Sequence, residues 1–395
     1  MQDFDDTKAR RNAVILALAQ ALYGAVTTAV VVTAGLVGSQ LAPTASLATM
    51  PMSMMIIGTA LTTFPISLLM RRIGRRAGFI SCALIGMVGA LIGLAAIVLK
   101  LFMLFLLGCL LIGVYQASAS YYRFAAADTA SVAFRPKAIS WVMTGGILAA
   151  VIGTTMVMGT TDLFAPITFA GTWATMAVIA FAAALLLIPL DIPMQAEAHA
   201  STGRPLAEIA TQPRYIVAAL SAMLSYGIMV LVMTATPVAM LGCNFTVTDS
   251  SWVIQWHALA MFVPSFFTGH LITRFGAEKI AAIGMLLLVG AAVSGLMGVR
   301  FENFAVGLIL LGLGWNFGFL GGTTLLTTTY EASEKNKAQG LNDLLVFGTT
   351  AIASLSAGSL LASYGWNAVN YAVFPMVALA LVMIGWLMTH PKRLA

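Results

Sequence analysis

Long apolar stretches separated by short polar and basic connections run through the whole chain. A helix rising about 1.5 Å per residue needs about 20 apolar residues to cross the hydrocarbon core of a bilayer. Stretches of that length fall at about 13–37, 46–70, 78–99, 101–122, 137–160, 167–190, 215–240, 250–272, 279–299, 303–326, 338–362 and 367–389. The pattern predicts an all-α, polytopic membrane protein with 12 transmembrane helices.

Composition agrees. The 395 residues are 60% hydrophobic and 9% charged, against about 25% charged in soluble domains. With both termini cytoplasmic, 18 of the 20 Lys and Arg residues lie in inside segments, and only Lys100 and Arg300 lie outside. That asymmetry follows the positive-inside rule. It accounts for the net charge of +6 without nucleic acid as a partner. The first span follows a charged head of twelve residues and is too long for a signal-peptide core, so it is expected to be retained. Cys82, Cys109 and Cys243 lie far apart, with no metal-finger or redox spacing.

The chain repeats itself at a period of about two hundred residues. Arg72-Ile-Gly74-Arg75-Arg76 after span 2 answers Arg274-Phe-Gly276-Ala-Glu-Lys279 after span 8, and Arg135-Pro-Lys137-Ala138 answers Lys335-Asn-Lys337-Ala338. Two six-helix bundles are expected, at 1–190 and 215–395, joined by a cytoplasmic linker at 191–214. These halves and loops resemble the major facilitator superfamily. Its loop motif is matched by Gly269-His-Leu-Ile-Thr273-Arg274-Phe-Gly276, with Thr273 in place of the acid. In the first half Arg71 stands at the acidic position and Ser67 at the glycine. The resemblance implies two bundles that open a midplane site to each side in turn. Acidic residues also repeat, as Asp128 and Glu331. Beside the basic loops they suggest gating ion pairs from Arg72 to Asp128 and from Arg274 to Glu331, or else solvated charges that only set topology.

Two four-residue frames carry candidate chemistry: Met229-Val-Leu-Val-Met233 in span 7 and His257-Ala-Leu-Ala-Met261 in span 8. A spacing of i, i+4 stacks side chains on one helical face, and thioether with imidazole suits soft copper ions. Met233 should lie roughly 12 Å and Met229 roughly 18 Å below the outer end of span 7, with His257 at roughly 10 Å and Met261 at roughly 16 Å in span 8. Facing each other, the four would form a two-rung ladder. With 23 methionines in the chain, a chance pair is common, but His257 is the only histidine well inside an expected span, and ionisable groups there are usually functional. His199 and His390 fall in loop and tail, and His270 near a cytoplasmic end.

The pair of frames closely resembles the CcoA-like copper importers of the major facilitator superfamily. The resemblance assigns the metal-ligand role to Met229, Met233, His257 and Met261, and makes Cys243 a candidate entry thiol. It implies a bacterial inner-membrane importer of copper, as substrate rather than resident cofactor, serving assembly of cbb3-type cytochrome oxidase through a cytoplasmic copper acceptor. A monomer is expected. Met50, Met52, Met54, Met55, Met156, Met158 and Met240 could line a vestibule or simply pack.

No expected span has an acid near its middle. Asp343, the deepest, sits about five residues inside span 11, where the helix dipole favours it. Facilitated diffusion is therefore expected over proton coupling. Glycines in spans 5 and 10 allow close helix approach and leave Trp315 and Asn316 free to face a cavity. No phosphate loop and no nucleophile-base-acid set appears, so an enzyme is not expected. Two alternatives stay open: a carrier of a small organic solute such as riboflavin, with Tyr115, Tyr226, Trp256 and Trp315 lining its cavity, and a copper-binding assembly factor that does not transport.

Overall fold

The computed structural model describes residues 6–131, 134–192, 203–331 and 333–389, all helix and connection with no strand among them. The chain divides into two compact units, Met1–Glu197 and Ala198–Ala395. Part of the expected linker, 193–202, lies outside the described residues, as do His199, His390, Lys392 and Arg393.

The first unit holds α1 (Asp6–Leu41), a short 3-10 turn at Ala45–Leu47, α2 (Met50–Ile73), α3 (Arg75–Leu99), α4 (Phe102–Ala119), α5 (Tyr122–Asp128), α6 (Arg135–Thr160) and α7 (Ala170–Leu186). The second holds α8 (Leu206–Ala210), α9 (Pro213–Gly242), α10 (Val247–Phe262), α11 (Ser265–Phe275), α12 (Ala277–Leu296), α13 (Phe301–Leu326), α14 (Lys335–Tyr371) and α15 (Val373–Thr389).

Among the described residues nine helical stretches are long and apolar enough to cross a membrane. Local chemistry explains why the tally is not twelve. Span 6 forms only the 17 residues of α7. Span 8 breaks at Pro264, which has no N–H to continue the ladder, into α10 and α11. Spans 11 and 12 count as one stretch, Lys337–Thr389, although Gly365 departs from helical backbone at φ 79° and ψ −177°. Twelve rods therefore remain, with α5 continuing α4. Their outer faces are apolar: Met103 is 72%, Val178 66% and Val382 68% exposed, as lipid-facing positions require and soluble surfaces avoid.

The repeat in sequence is a repeat in backbone. A single residue joins α2 to α3 and α11 to α12: Gly74 at φ 86° and ψ 155°, and Gly276 at φ 92° and ψ 150°. Only glycine adopts that geometry without strain. The second and fourth spans of each unit also cross at a glycine. A Cβ on Gly113 of α4 would run into the carbonyl of Met55 on α2, and one on Gly312 of α13 would lie 2.6 Å from the carbonyl of His257 on α10. Small residues are what let membrane helices approach this closely.

Candidate functional site

In the second unit, α9, α10 and α13 bring polar and aromatic side chains together. A capping box starts α10: the Asp249 N–H donates to Thr246 Oγ1 at 3.1 Å and the Thr246 N–H to Asp249 Oδ2 at 2.8 Å. That satisfies free amides of the first turn and sets the register that buries His257 at 1% exposure. Imidazole Nδ1 lies 2.8 Å from the Leu308 carbonyl of α13. A carbonyl only accepts, so Nδ1 carries the hydrogen and Nε2 of the neutral ring is left as an acceptor.

One turn further along α10, Asn316 of α13 ties the helix at its break. Its Nδ2 donates to the Met261 carbonyl and to Ser265 Oγ, both at 2.7 Å, and Thr268 Oγ1 donates to its Oδ1 at 2.7 Å. The amide thus serves the backbone beside Pro264, where the ladder is interrupted, and a buried polar group needs such partners.

Next to Asn316 an aromatic cluster gathers. Trp315 stacks on Phe319, one turn away on α13, with centroids 5.3 Å apart and an interplanar angle of 9°. Tyr226 of α9 meets both edge-on, at 5.5 and 5.3 Å. Phe262 of α10 lies 6.3 Å from Trp315. Five buried polar atoms on these three helices lack hydrogen-bond partners: Arg214 Nε and Ser250 Oγ near the helix starts, and the three nearer the aromatic residues in sequence, Thr234 Oγ1, His257 Nε2 and Trp315 Nε1. Thr236, two residues on, bonds the Val232 carbonyl at 2.7 Å as a helical threonine ordinarily does. Unsatisfied groups of this kind are costly in an apolar interior. Unpartnered polar groups and aromatic faces on the same three helices make this the candidate site of the second unit.

The expected metal ligands are all buried: Met229 at 2%, Met233 at 8%, His257 at 1% and Met261 at 9% exposure. The tie from α10 to α13 runs through His257 Nδ1 and the Met261 backbone. Cys243 is a half-buried free thiol at the C-cap of α9. Of the proposed vestibule methionines, Met52, Met55 and Met240 are buried as packing residues are. Tyr115 is fully buried in the first unit against Tyr23, at 5.2 Å. Trp256 is 50% exposed and takes no part in the cluster. Phe262, Phe319, Thr234 and the Ser265–Thr268–Asn316 network were missed in the sequence. An aromatic pair at i, i+4 in span 10 was the available signal.

The expected gating pairs also need correcting. Asp128 Oδ2 pairs with Arg75 Nη2 at 2.6 Å, not with Arg72. Arg75 is the first residue after the Gly74 joint, and the joint places it at the end of α5. At the matching place after Gly276 stands Ala277. Among the described residues Arg274 forms no ion pair with Glu331, and its guanidinium lies 5.2 Å over the ring of Phe275. The second unit uses other partners: Arg214 Nη2 meets Glu278 Oε1 at 3.0 Å, and Arg204 meets Glu334 through Nε at 2.8 Å and Nη2 at 2.7 Å. That guanidinium, with backbone amides of Glu331 and Arg204, holds the Glu334 carboxyl down at about 2.

Residues 16–240 and 218–395 match the profile of the Major Facilitator Superfamily. The chain belongs to the major facilitator superfamily. It is 45% identical to a riboflavin transporter of Brucella anthropi over 381 residues, covering 96% of both chains. It is 29% identical to an uncharacterized MFS-type transporter, YdeG, of Bacillus subtilis, covering 95% of this chain and 92% of that one. Among solved structures it resembles the nucleoside transporter NupG, with a TM-score of 0.72 at 13% identity, covering 96% and 99% of the two chains. That likeness shows the fold. The 45% relative, matched end to end and named for riboflavin, overturns copper as the cargo. With it go the copper acceptor and the supply of cytochrome oxidase, and of the expected kinship what holds is the superfamily. Short soft-donor frames arise readily among 23 methionines.

Proposed function

We propose that this protein is a multi-pass carrier of riboflavin in the cytoplasmic membrane of a bacterium, with both termini inside. The observation that carries the proposal is 45% identity over 96% of the chain to a riboflavin transporter. The aromatic cluster and the unpartnered polar atoms of Thr234, His257 and Trp315 support it, because a flavin pairs a broad ring face with hydrogen-bonding edges. Met229, Met233 and Met261 then serve as polarisable apolar surface that packs against rings, and Cys243 has no role in capture. In this proposal the halves 1–190 and 215–395 expose the site alternately, without chemical conversion of the cargo or a resident cofactor, and the monomer is the working unit.

Uncoupled, downhill transport fits the polar inventory. Among the described residues the spans bury no carboxylate; Glu334 precedes α14, and Asp343 is exposed on it. A bacterium unable to make or import riboflavin, given this protein, should grow on low external riboflavin and take up the radiolabelled vitamin. Absence of uptake with the protein present in the membrane overturns the proposal.

A further inference from the structure

The acceptor nitrogen of His257 has a consequence for what the site selects. His257 is 1% exposed, its Nδ1–H is committed to the Leu308 carbonyl at 2.8 Å, and its Nε2 has no partner. The Leu308 bond fixes both tautomer and ring orientation, so Nε2 presents a lone pair and no hydrogen. Gly312 of α13 packs on the His257 backbone; Phe262 follows five residues after His257 on α10 and lies 6.3 Å from Trp315, three residues after Gly312 on α13. A buried lone pair of this kind calls for a donor, and of the groups a flavin carries, the ring system offers one N–H, that of its imide.

We propose that His257 is a specificity-determining residue whose Nε2 accepts a hydrogen bond from an imide-type N–H on the cargo's ring. The inference rests on the riboflavin reading and deepens it. It assigns to His257 the reading of one edge of the heterocycle, while Tyr226, Trp315 and Phe319 hold its face. A site built to accept from an N–H rejects an analogue without it, because the buried acceptor is then left unpaired. Recognition by hydrogen bonding discriminates far more sharply than an apolar wall of the same shape.

The test compares riboflavin with N3-methylriboflavin, in which a methyl group replaces that hydrogen. Purified full-length protein in lipid nanodiscs is titrated with each, and binding is read from quenching of flavin fluorescence. The wild type should bind riboflavin at least about tenfold more tightly, and His257→Ala should bring the ratio close to one by weakening riboflavin selectively. A purely structural role would weaken both ligands together. Should His257→Ala not reach the membrane, His257→Gln, whose amide is displaced from the imidazole position, should still lower the ratio. Equal affinity of the wild type for the two ligands overturns the assignment to His257 while leaving riboflavin as cargo. An unchanged ratio in a folded variant also overturns it. No riboflavin binding or uptake by the wild type overturns the cargo proposal itself, and the two failures are thereby told apart.

Discussion

The second and fourth spans of each unit cross at a glycine, Gly113 over Met55 and Gly312 over His257, yet the two crossings hold different things. In the first unit the backbone of the crossing is bonded from within, although Tyr115 Oη, two residues after Gly113 on α4, has no partner. Met52 and Met55 on α2 are buried, and the Thr59 hydroxyl lies 2.9 Å from the Met55 carbonyl, 3.1 Å from the Gly113 carbonyl and 3.2 Å from Gln116 Oε1. In the second unit the crossing carries an imidazole nitrogen without a partner, and an aromatic cluster with an unpartnered indole N–H lies beside it. One backbone device thus serves two purposes. Where the crossing is bonded through its backbone it is a strut, and where an acceptor nitrogen stays open it is a site.

Gly312→Val should abolish the second crossing, since the new side chain meets backbone rather than a side chain able to move aside. Loss of folded protein from the membrane is expected, and Gly113→Val should behave alike, as read by detergent-extracted thermal melts. Trp315→Ala should separate the two units: removal of the stacked indole is expected to weaken riboflavin binding by about tenfold or more. Tyr115→Phe in the first unit should change it little, as measured by flavin fluorescence.

Asn316→Leu leaves the Met261 carbonyl and the Ser265 and Thr268 hydroxyls short of partners, which should cost about 1–3 kcal/mol. Thr59→Val removes a single hydroxyl and should cost about 1 kcal/mol by the same melts. Smallest is the charge contrast. Arg75→Gln removes the half-buried partner of Asp128 and should alter the uptake rate measurably, whereas Arg274→Gln should leave it unchanged; the reverse order would restore the ion pair expected at Arg274.

Spans, the internal repeat and the glycine joints were legible because each is written in contiguous residues: an apolar run, or Gly flanked by Arg. The ion pairs were only half legible. Asp128 was identified, but choosing Arg75 over Arg72 required knowing where a positive-φ joint aims the next residue. Trp315, Asn316 and Tyr226 were singled out in the sequence but their company was not, because the bonds of Asn316 reach Met261, Ser265 and Thr268, about fifty positions away. His257 was found for its rarity, and the copper expected beside it fell with the cargo. The partner of its Nδ1, the Leu308 carbonyl, lies about fifty positions away on another helix and was not legible.

The one-residue joints at Gly74 and Gly276 have a mechanical meaning. A hinge with a single link has no slack, so α2 with α3, and α11 with α12, must each travel as one stiff lever. An epitope or protease site inserted there would uncouple the arms, whereas the same insertion in a longer connection such as 161–169 would be absorbed as extra rope.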